Sequence, residues 1–172
     1  MKIDIRPEEE PDYKAIYQLI DKAFGRNNEA LLIDTLRKTP EFVPGLSLVG
    51  RYCDKVVGHV LMYPVAIVEG DKRTITLALE PISVLPAYQK KGIGSKLVKV
   101  GLSKAKKLGF GSVVVVGHPE YYPQFGFMPA GRWNIKVPFE ATDNVVMAIE
   151  LIPGALENAA GTVSYPSPFS EV

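Results

Sequence analysis

Seven consecutive residues, Gln89-Lys90-Lys91-Gly92-Ile93-Gly94-Ser95, have the types and order that can cradle a phosphate. The two glycines let the backbone approach a ligand with no Cβ in the way. The segment that follows reads as an amphipathic helix, whose first N–H groups and positive dipole end point back into the same loop. Such a junction is a ready anion site. Helix-dipole effects are worth only ~0.3–1 kcal/mol each, so several convergent N–H donors are needed, and the loop supplies them. Lys90 and Lys91 add positive charge beside the expected phosphate. Lys96 lies in the same cluster, and Lys99, Lys104, Lys106 and Lys107 read as the solvated face of the helix.

Two familiar phosphate loops fail on spacing. No G-x-x-x-x-G-K-[ST] run is present, and Gly92-Ile93-Gly94 is followed by Leu97 where a dinucleotide fingerprint needs glycine. The titratable candidates near the loop are Glu80 and His118. On an alternating strand Glu80, Ile82 and Val84 share one face. His118 follows a buried strand, whereas His59, in mid-strand, reads as structural. Cys53, the single cysteine, reads as a strand residue near a turn. No His/Cys/Asp grouping has metal-ligand spacing, so no metal is expected.

These residues need elements to position them. Residues 1–6 alternate as a short strand. Pro11 and Asp12 open a helix through Phe24 that buries Ile16, Leu19, Ile20 and Ala23, and a second helix over 28–37 carries Leu31, Leu32 and Leu36. Strands over 46–52 and 56–68 join at a turn at Asp54-Lys55. Gly70-Asp71 turns the chain into a strand over 74–84. The helix after the glycine loop spans about 92–108, with Ile93, Leu97, Val100, Ala105 and Leu108 inward and Gly109 as its cap. Val113 to Val116 reads as a strand buried on both faces. A short turn over 120–125, a strand over 145–151, and an edge strand or packed tail over 161–169 complete the chain. Pro81 suits a bulge or a splayed edge rather than a regular ladder. The order of elements predicts an α/β (α+β) domain.

The chain has 172 residues, of which 47% are hydrophobic and 23% charged, with a net charge of +1. One domain with a sizeable core is expected, and bulk charge argues for neither nucleic acid nor a membrane surface. The lone cysteine, the lack of a charged-then-apolar leader and the lack of a long apolar run lead us to expect a cytoplasmic protein.

Gln89-x-x-Gly92-x-Gly94 resembles the acyl-CoA-binding motif [RQ]-x-x-G-x-[GA] of the GNAT superfamily of N-acetyltransferases, after a strand Pro81-Ile82-Ser83-Val84-Leu85-Pro86 like the one that precedes it there. Tyr122-Pro123-Gln124-Phe125-Gly126-Phe127 resembles the family's Y-x-x-x-G-F segment. The likeness covers about Pro7 to Ala148. The run Gly117 to Tyr122, with the segment Gly161 to Pro166, is most similar to the bacterial YhbS-type branch.

The resemblance implies a mixed, mainly antiparallel central sheet with splayed parallel strands and flanking helices. It also implies a single domain over 1–172, with 152–172 a C-terminal extension packed on it. It implies acetyl-CoA as co-substrate, held by the backbone of Ile82, Ser83 and Val84, by Gln89, Lys90, Lys91, Gly92, Ile93, Gly94 and Ser95, and by the walls Tyr121 and Phe125. The implied reaction moves acetyl to a primary amine by direct transfer in a ternary complex. Tyr122 then serves as the acid and Glu80 as the base, with His118 or a water relay as other bases. A base helps because a lysine-type amine is only about 0.04% neutral at pH 7. The asparagine that many members carry seven residues before the tyrosine is Val115 here. The alternative is a catalytically silent acyl-CoA-binding or interaction module. The partners expected are acetyl-CoA and an amine acceptor, with no nucleic acid or membrane, in a monomer or homodimer.

Overall fold

The computed structural model describes residues 1–171. Its backbone divides into two compact units. The first holds Met1–Tyr63, Glu80–Lys104 and the C-terminal turn Ser167–Glu171, and the second holds Pro64–Leu79 and Ala105–Pro166. Two long strands, β3 (Lys55–Glu69) and β4 (Lys72–Val84), contribute residues to both.

In the first unit, β1 (Asp4–Pro7) pairs antiparallel with β2 (Ser47–Tyr52), and β2 with β3 in register Ser47↔Leu61 to Tyr52↔Lys55, interrupted by a bulge at Gly50/Arg51. The β2–β3 turn is Cys53-Asp54, with φ of 48° and 65°, one residue before the expected Asp54-Lys55. Two successive positive φ values match the twist of a two-residue hairpin. Cys53 is therefore a turn residue, and it is exposed. Helix α1 (Tyr13–Phe24) buries Ile16, Leu19 and Ile20 as its periodicity requires, with Ala23 half-buried. Helix α2 (Asn28–Leu36) buries Leu32, Ile33 and Leu36, while Leu31, expected inside, is exposed.

Helix α3 (Ile93–Lys107) presents Ile93, Leu97, Val98, Leu102 and Ala105 to the core. Val100 is half-buried and Leu108 exposed, so the inward stripe lies slightly off the expected one. Past the helix, Phe110 N–H donates to Ala105 C=O and Gly109 N–H to Lys106 C=O, the two bonds of a Schellman end, so Gly109 caps as expected.

A buried polar network sits inside the first unit. Arg37 bonds Glu8 through Nε at 2.6 Å and Asp34 through Nη1 at 2.7 Å. Ser47 Oγ donates to Glu8 Oε1 at 2.5 Å, and His59 Nε2 lies 2.9 Å from Ser47 Oγ and 3.2 Å from Glu8 Oε1. Burial alone would raise the Glu8 pKa, but hydrogen bonds from His59, Arg37 and Ser47 hold it at about 2. Burial lowers that of His59, against the pull of Glu8. His59 is thus structural.

In the second unit, β4 pairs in parallel with β5 (Ser112–Val116) at Leu77↔Val113 and Ala78↔Val114. Helix α3 is the crossover that a parallel pair demands. Strand β5 pairs antiparallel with β8 (Val146–Glu150), which also takes the short β6 (Met128–Pro129). Strand β9 (Gly161–Ser164) lies between β3, antiparallel, and β7 (Ile135–Lys136), parallel. It is an inner strand rather than the edge that its prolines suggested; Pro166 and Pro168 fall beyond it. Val113 to Val115 are buried, but Val116 is exposed where β5 ends. The fold is mixed α/β, mostly antiparallel, with parallel strands and flanking helices.

Candidate active site

The end of β4 has the expected alternation. Glu80 is exposed and Ile82 and Val84 half-buried, while Pro81, after a cis peptide, and Ser83 face inward. The chain then leaves the strand under two restraints. Leu85 N–H donates to Val57 C=O at 2.9 Å, and Gln89 Nε2 donates to Val84 C=O at 3.1 Å. Gln89 is therefore a brace across the loop. Lys90 and Gly92 both have positive φ, 61° and 82°, and a Cβ built on Gly92 meets nothing within 4 Å. Glycine is needed at 92 for its backbone conformation rather than for want of space.

Ile93 is 2% exposed and plants the first turn of α3 in the core. The first ladder bond runs from Lys96 N–H to Gly92 C=O. The N–H groups of Ile93 and Gly94 precede it and have no acceptor within the helix. Lys90, Lys91 and Gly92 are exposed, and Gly94 and Ser95 half-buried. Among the helix lysines, the Lys96 ammonium donates to Ile3 C=O at 2.7 Å.

Glu80 keeps access to solvent, yet protein atoms crowd its carboxyl, and that partial desolvation raises its pKa, with the nearby Glu29 charge adding to the rise. Glu29, on α2, is 5% exposed and gripped by the Arg26 guanidinium at 3.0 and 2.5 Å.

The second unit gathers the aromatic candidates. Tyr122 opens a short 3-10 turn, Tyr122–Phe125, and is 6% exposed. Its ring meets Tyr121 edge-on at 5.1 Å and Phe127 at 5.6 Å, with Phe125 at 6.4 Å. The N–H groups of Tyr121 and Tyr122 donate to His118 C=O, and a Cβ built on Gly117 would lie 2.6 Å from Tyr122 Cε2. The exposed His118 thus contributes its carbonyl to holding this turn. Gly126, at φ 103°, ends the turn and Phe127 returns to the core. Val115 is buried and paired with Met147 in the β5–β8 ladder.

A family model described as "Acetyltransferase (GNAT) domain" matches residues 4–130. The chain belongs to the GNAT acetyltransferase family. Its curated relative YjhQ of Escherichia coli (strain K12), an uncharacterized N-acetyltransferase, is 35% identical over 130 residues, covering 74% of this chain and 71% of YjhQ. The crystal structure of the GNAT family N-acetyltransferase YhbS from Escherichia coli in complex with CoA matches 99% of this chain and 93% of its own, at a TM-score of 0.91 and 27% identity. A GNAT family acetyltransferase from Brucella melitensis in complex with acetyl-CoA matches 98% of both chains, at a TM-score of 0.79 and 30% identity.

As a GNAT chain, this protein carries both of its motifs on ordered elements. The first unit brings together Glu80, Ile82, Ser83, Val84 and the loop from Gln89 to Ser95; the second brings together Tyr121, Tyr122 and Phe125. The sequence did not reveal Glu29, whose charge bears on Glu80, or Gly117 and Phe127, which fix the Tyr122 ring. Gly117 and Phe127 sit inside motifs already visible, so their proximity to Tyr122 in the chain was the available signal. Among the described residues no cluster of potential metal ligands occurs, and no helix is long and apolar enough to cross a membrane.

Proposed function

We propose that this GNAT protein transfers acetyl directly from acetyl-CoA to a primary amine. The observation that carries the reading is the β4–α3 junction, where the positive φ of Gly92 exposes the loop and the N–H groups of Ile93 and Gly94 stand ahead of the helix ladder. Amides from Lys91 to Ser95 take the pyrophosphate, Lys90 and Lys91 supplement its charge balance, and backbone groups of Ile82 to Val84 take the pantetheine as an added strand would. Tyr121 and Phe125 wall the cofactor. Complexes of the two relatives with CoA and acetyl-CoA support this assignment.

The acceptor nitrogen attacks the thioester carbonyl carbon, forming the C–N bond as the C–S bond breaks. Tyr122 gives its phenol proton to the departing thiolate. Glu80 takes the proton lost by the amine, directly or through water. Its raised pKa makes it a stronger base than an ordinary carboxylate, and a base pKa nearer neutrality is the more effective one. The reading takes residues 1–172 as one cytoplasmic catalytic domain.

Calorimetry with acetyl-CoA, followed by thiol release against a panel of primary amines, tests this. Binding with amine-dependent thiol release is expected. Binding with no release for any amine would favour a silent acyl-CoA module, and no binding would end the reading.

A further inference from the structure

Helix α3 and the loop before it carry charge of one sign. From Gln89 to Lys107 there are seven lysines and no aspartate or glutamate, so the remainder of this +1 chain is net −6. Among the described residues none of the seven forms an ion pair. Lys96, Lys99, Lys106 and Lys107 are exposed and follow the helical period along one face, away from the buried Leu97, Gly101 and Ala105. A helix face that only meets water mixes its signs, because like charges three or four residues apart repel. Lys106 and Lys107 complement the dipole at the C-terminal end. Lys90, Lys91 and Lys96 surround the positive end, where cations are disfavoured. Helix stability therefore does not account for the pattern. The stripe also outruns a nucleotide held at the loop, since Lys99 and Lys107 stand about 9 and about 21 Å along the axis beyond Ile93.

We propose that this face docks an acidic carrier protein that bears the acetyl group on a phosphopantetheine arm. The arm's phosphate takes the β4–α3 loop, and the carrier's acidic surface lies along Lys99, Lys106 and Lys107. The inference rests on the acyl-CoA reading above and widens its donor class. A pantetheine thioester is borne by a nucleotide or by a carrier protein, and only the carrier has a body that can face several helical turns. Opposite charge on the two surfaces steers the encounter and fixes its register. The transfer is otherwise unchanged. The amine nitrogen attacks the carrier-bound carbonyl carbon, the C–N bond forms as the C–S bond breaks, and the arm leaves as a thiol while the amine loses one proton. Nucleic acid fits less well, because the segment from Gln89 to Lys107 has no aromatic side chain on which a base could stack.

The test uses calorimetry with three probes: a bacterial acyl carrier protein in its holo form, the same protein without the arm, and acetyl-CoA. The proteins are wild type, Lys99→Glu/Lys106→Glu, the milder Lys99→Ala/Lys106→Ala, and the control Lys14→Glu, at an exposed position on α1. Wild type is expected to bind the holo carrier in competition with CoA, more weakly as salt rises, and to bind the armless form less tightly. The Glu pair should weaken holo-carrier binding by about tenfold and the Ala pair by about threefold. Lys14→Glu should leave it unchanged. All variants should keep their acetyl-CoA affinity, which reports an intact fold.

Wild type that binds acetyl-CoA but not the holo carrier would overturn the proposal. So would carrier binding that CoA does not displace, an equal loss in Lys14→Glu, or a short DNA duplex that binds wild type more tightly than the carrier does. If the Glu pair loses acetyl-CoA as well, the Ala pair decides, and undiminished carrier affinity there would overturn the proposal. Failure of wild type to bind acetyl-CoA would instead overturn the functional reading beneath it.

Discussion

Replacing Gly117 by alanine isolates the positioning of Tyr122 from its chemistry. The φ of Gly117 is not in the left-handed region, so alanine meets no backbone penalty there. The added methyl would lie 2.6 Å from Tyr122 Cε2, where ordinary contacts begin at 3.4 Å. The ring must therefore move by about 0.8 Å. It is a rigid edge, closed in by Tyr121, Phe125 and Phe127, and cannot rotate away as a flexible side chain would. Overpacking of this kind costs about 1–3 kcal/mol, offset by about 0.4–1 kcal/mol from the stiffer unfolded chain. A net loss of about 1–2 kcal/mol lowers Tm by about 2–8 °C in a chain of this size. Displacement of a catalytic group by nearly 1 Å can cost about 10²-fold in rate. Thermal melting and initial rates of thiol release, with kcat and the KM for acetyl-CoA determined separately, are the assays. We expect a lowered Tm, kcat reduced by about 10- to 100-fold and little change in KM. Wild-type Tm would refute the packing argument. A lowered Tm with unchanged kcat would refute the link between this ring's position and turnover.

Tyr122→Phe keeps the ring and removes the hydroxyl, so kcat should fall by about 10²–10⁴-fold while acetyl-CoA affinity holds; equal turnover would remove Tyr122 as the acid. Gly92→Asp should abolish acetyl-CoA binding in a folded protein, since its Cβ meets open space, whereas Gly92→Asn, which tolerates a positive φ, should retain it; equal affinities in calorimetry would contradict a phosphate contact at this turn. Acid should destabilise the protein in two stages. His59 and Glu8 both have lowered folded pKa values, so each binds protons more readily unfolded, and stability falls with pH. The first loss starts below about 6.5, the ordinary His value, and the second runs from 4.5 to about 2. In Glu8→Gln the second stage should flatten, and denaturant midpoints measured across that range would expose the error if it does not.

Much of this site was visible as text. The loop and the Tyr122 to Phe127 segment are short-range patterns, and their residues act within a few positions of one another. What escaped the sequence depends on distant partners or on missing side chains. The inward stripe of α3 contains Gly101, buried with no side chain to mark the period, so Val100 and Leu108 looked more central than Val98 and Leu102. Strands β6 and β7 have two residues each, too few for an alternation to register. Glu29 reads as a polar helix face, yet Arg26 lets it stay buried. Glu8, Arg37, Ser47 and His59 come from four separate segments, and only folding reveals that each satisfies another.

The hairpin tip gives the molecule an intrinsic reporter. Its single cysteine is exposed at a turn whose neighbour, Tyr52, packs 6.2 Å from Tyr88, in the segment that leads into the glycine loop. Lys55, the first residue of β3, lies over the same Tyr88 ring at 5.5 Å. A thiol-reactive fluorophore would therefore attach at one known position, without engineering, on a lever whose base touches the loop. Ligand occupancy could be followed as a change in emission from the unaltered sequence, independently of which amine is the acceptor.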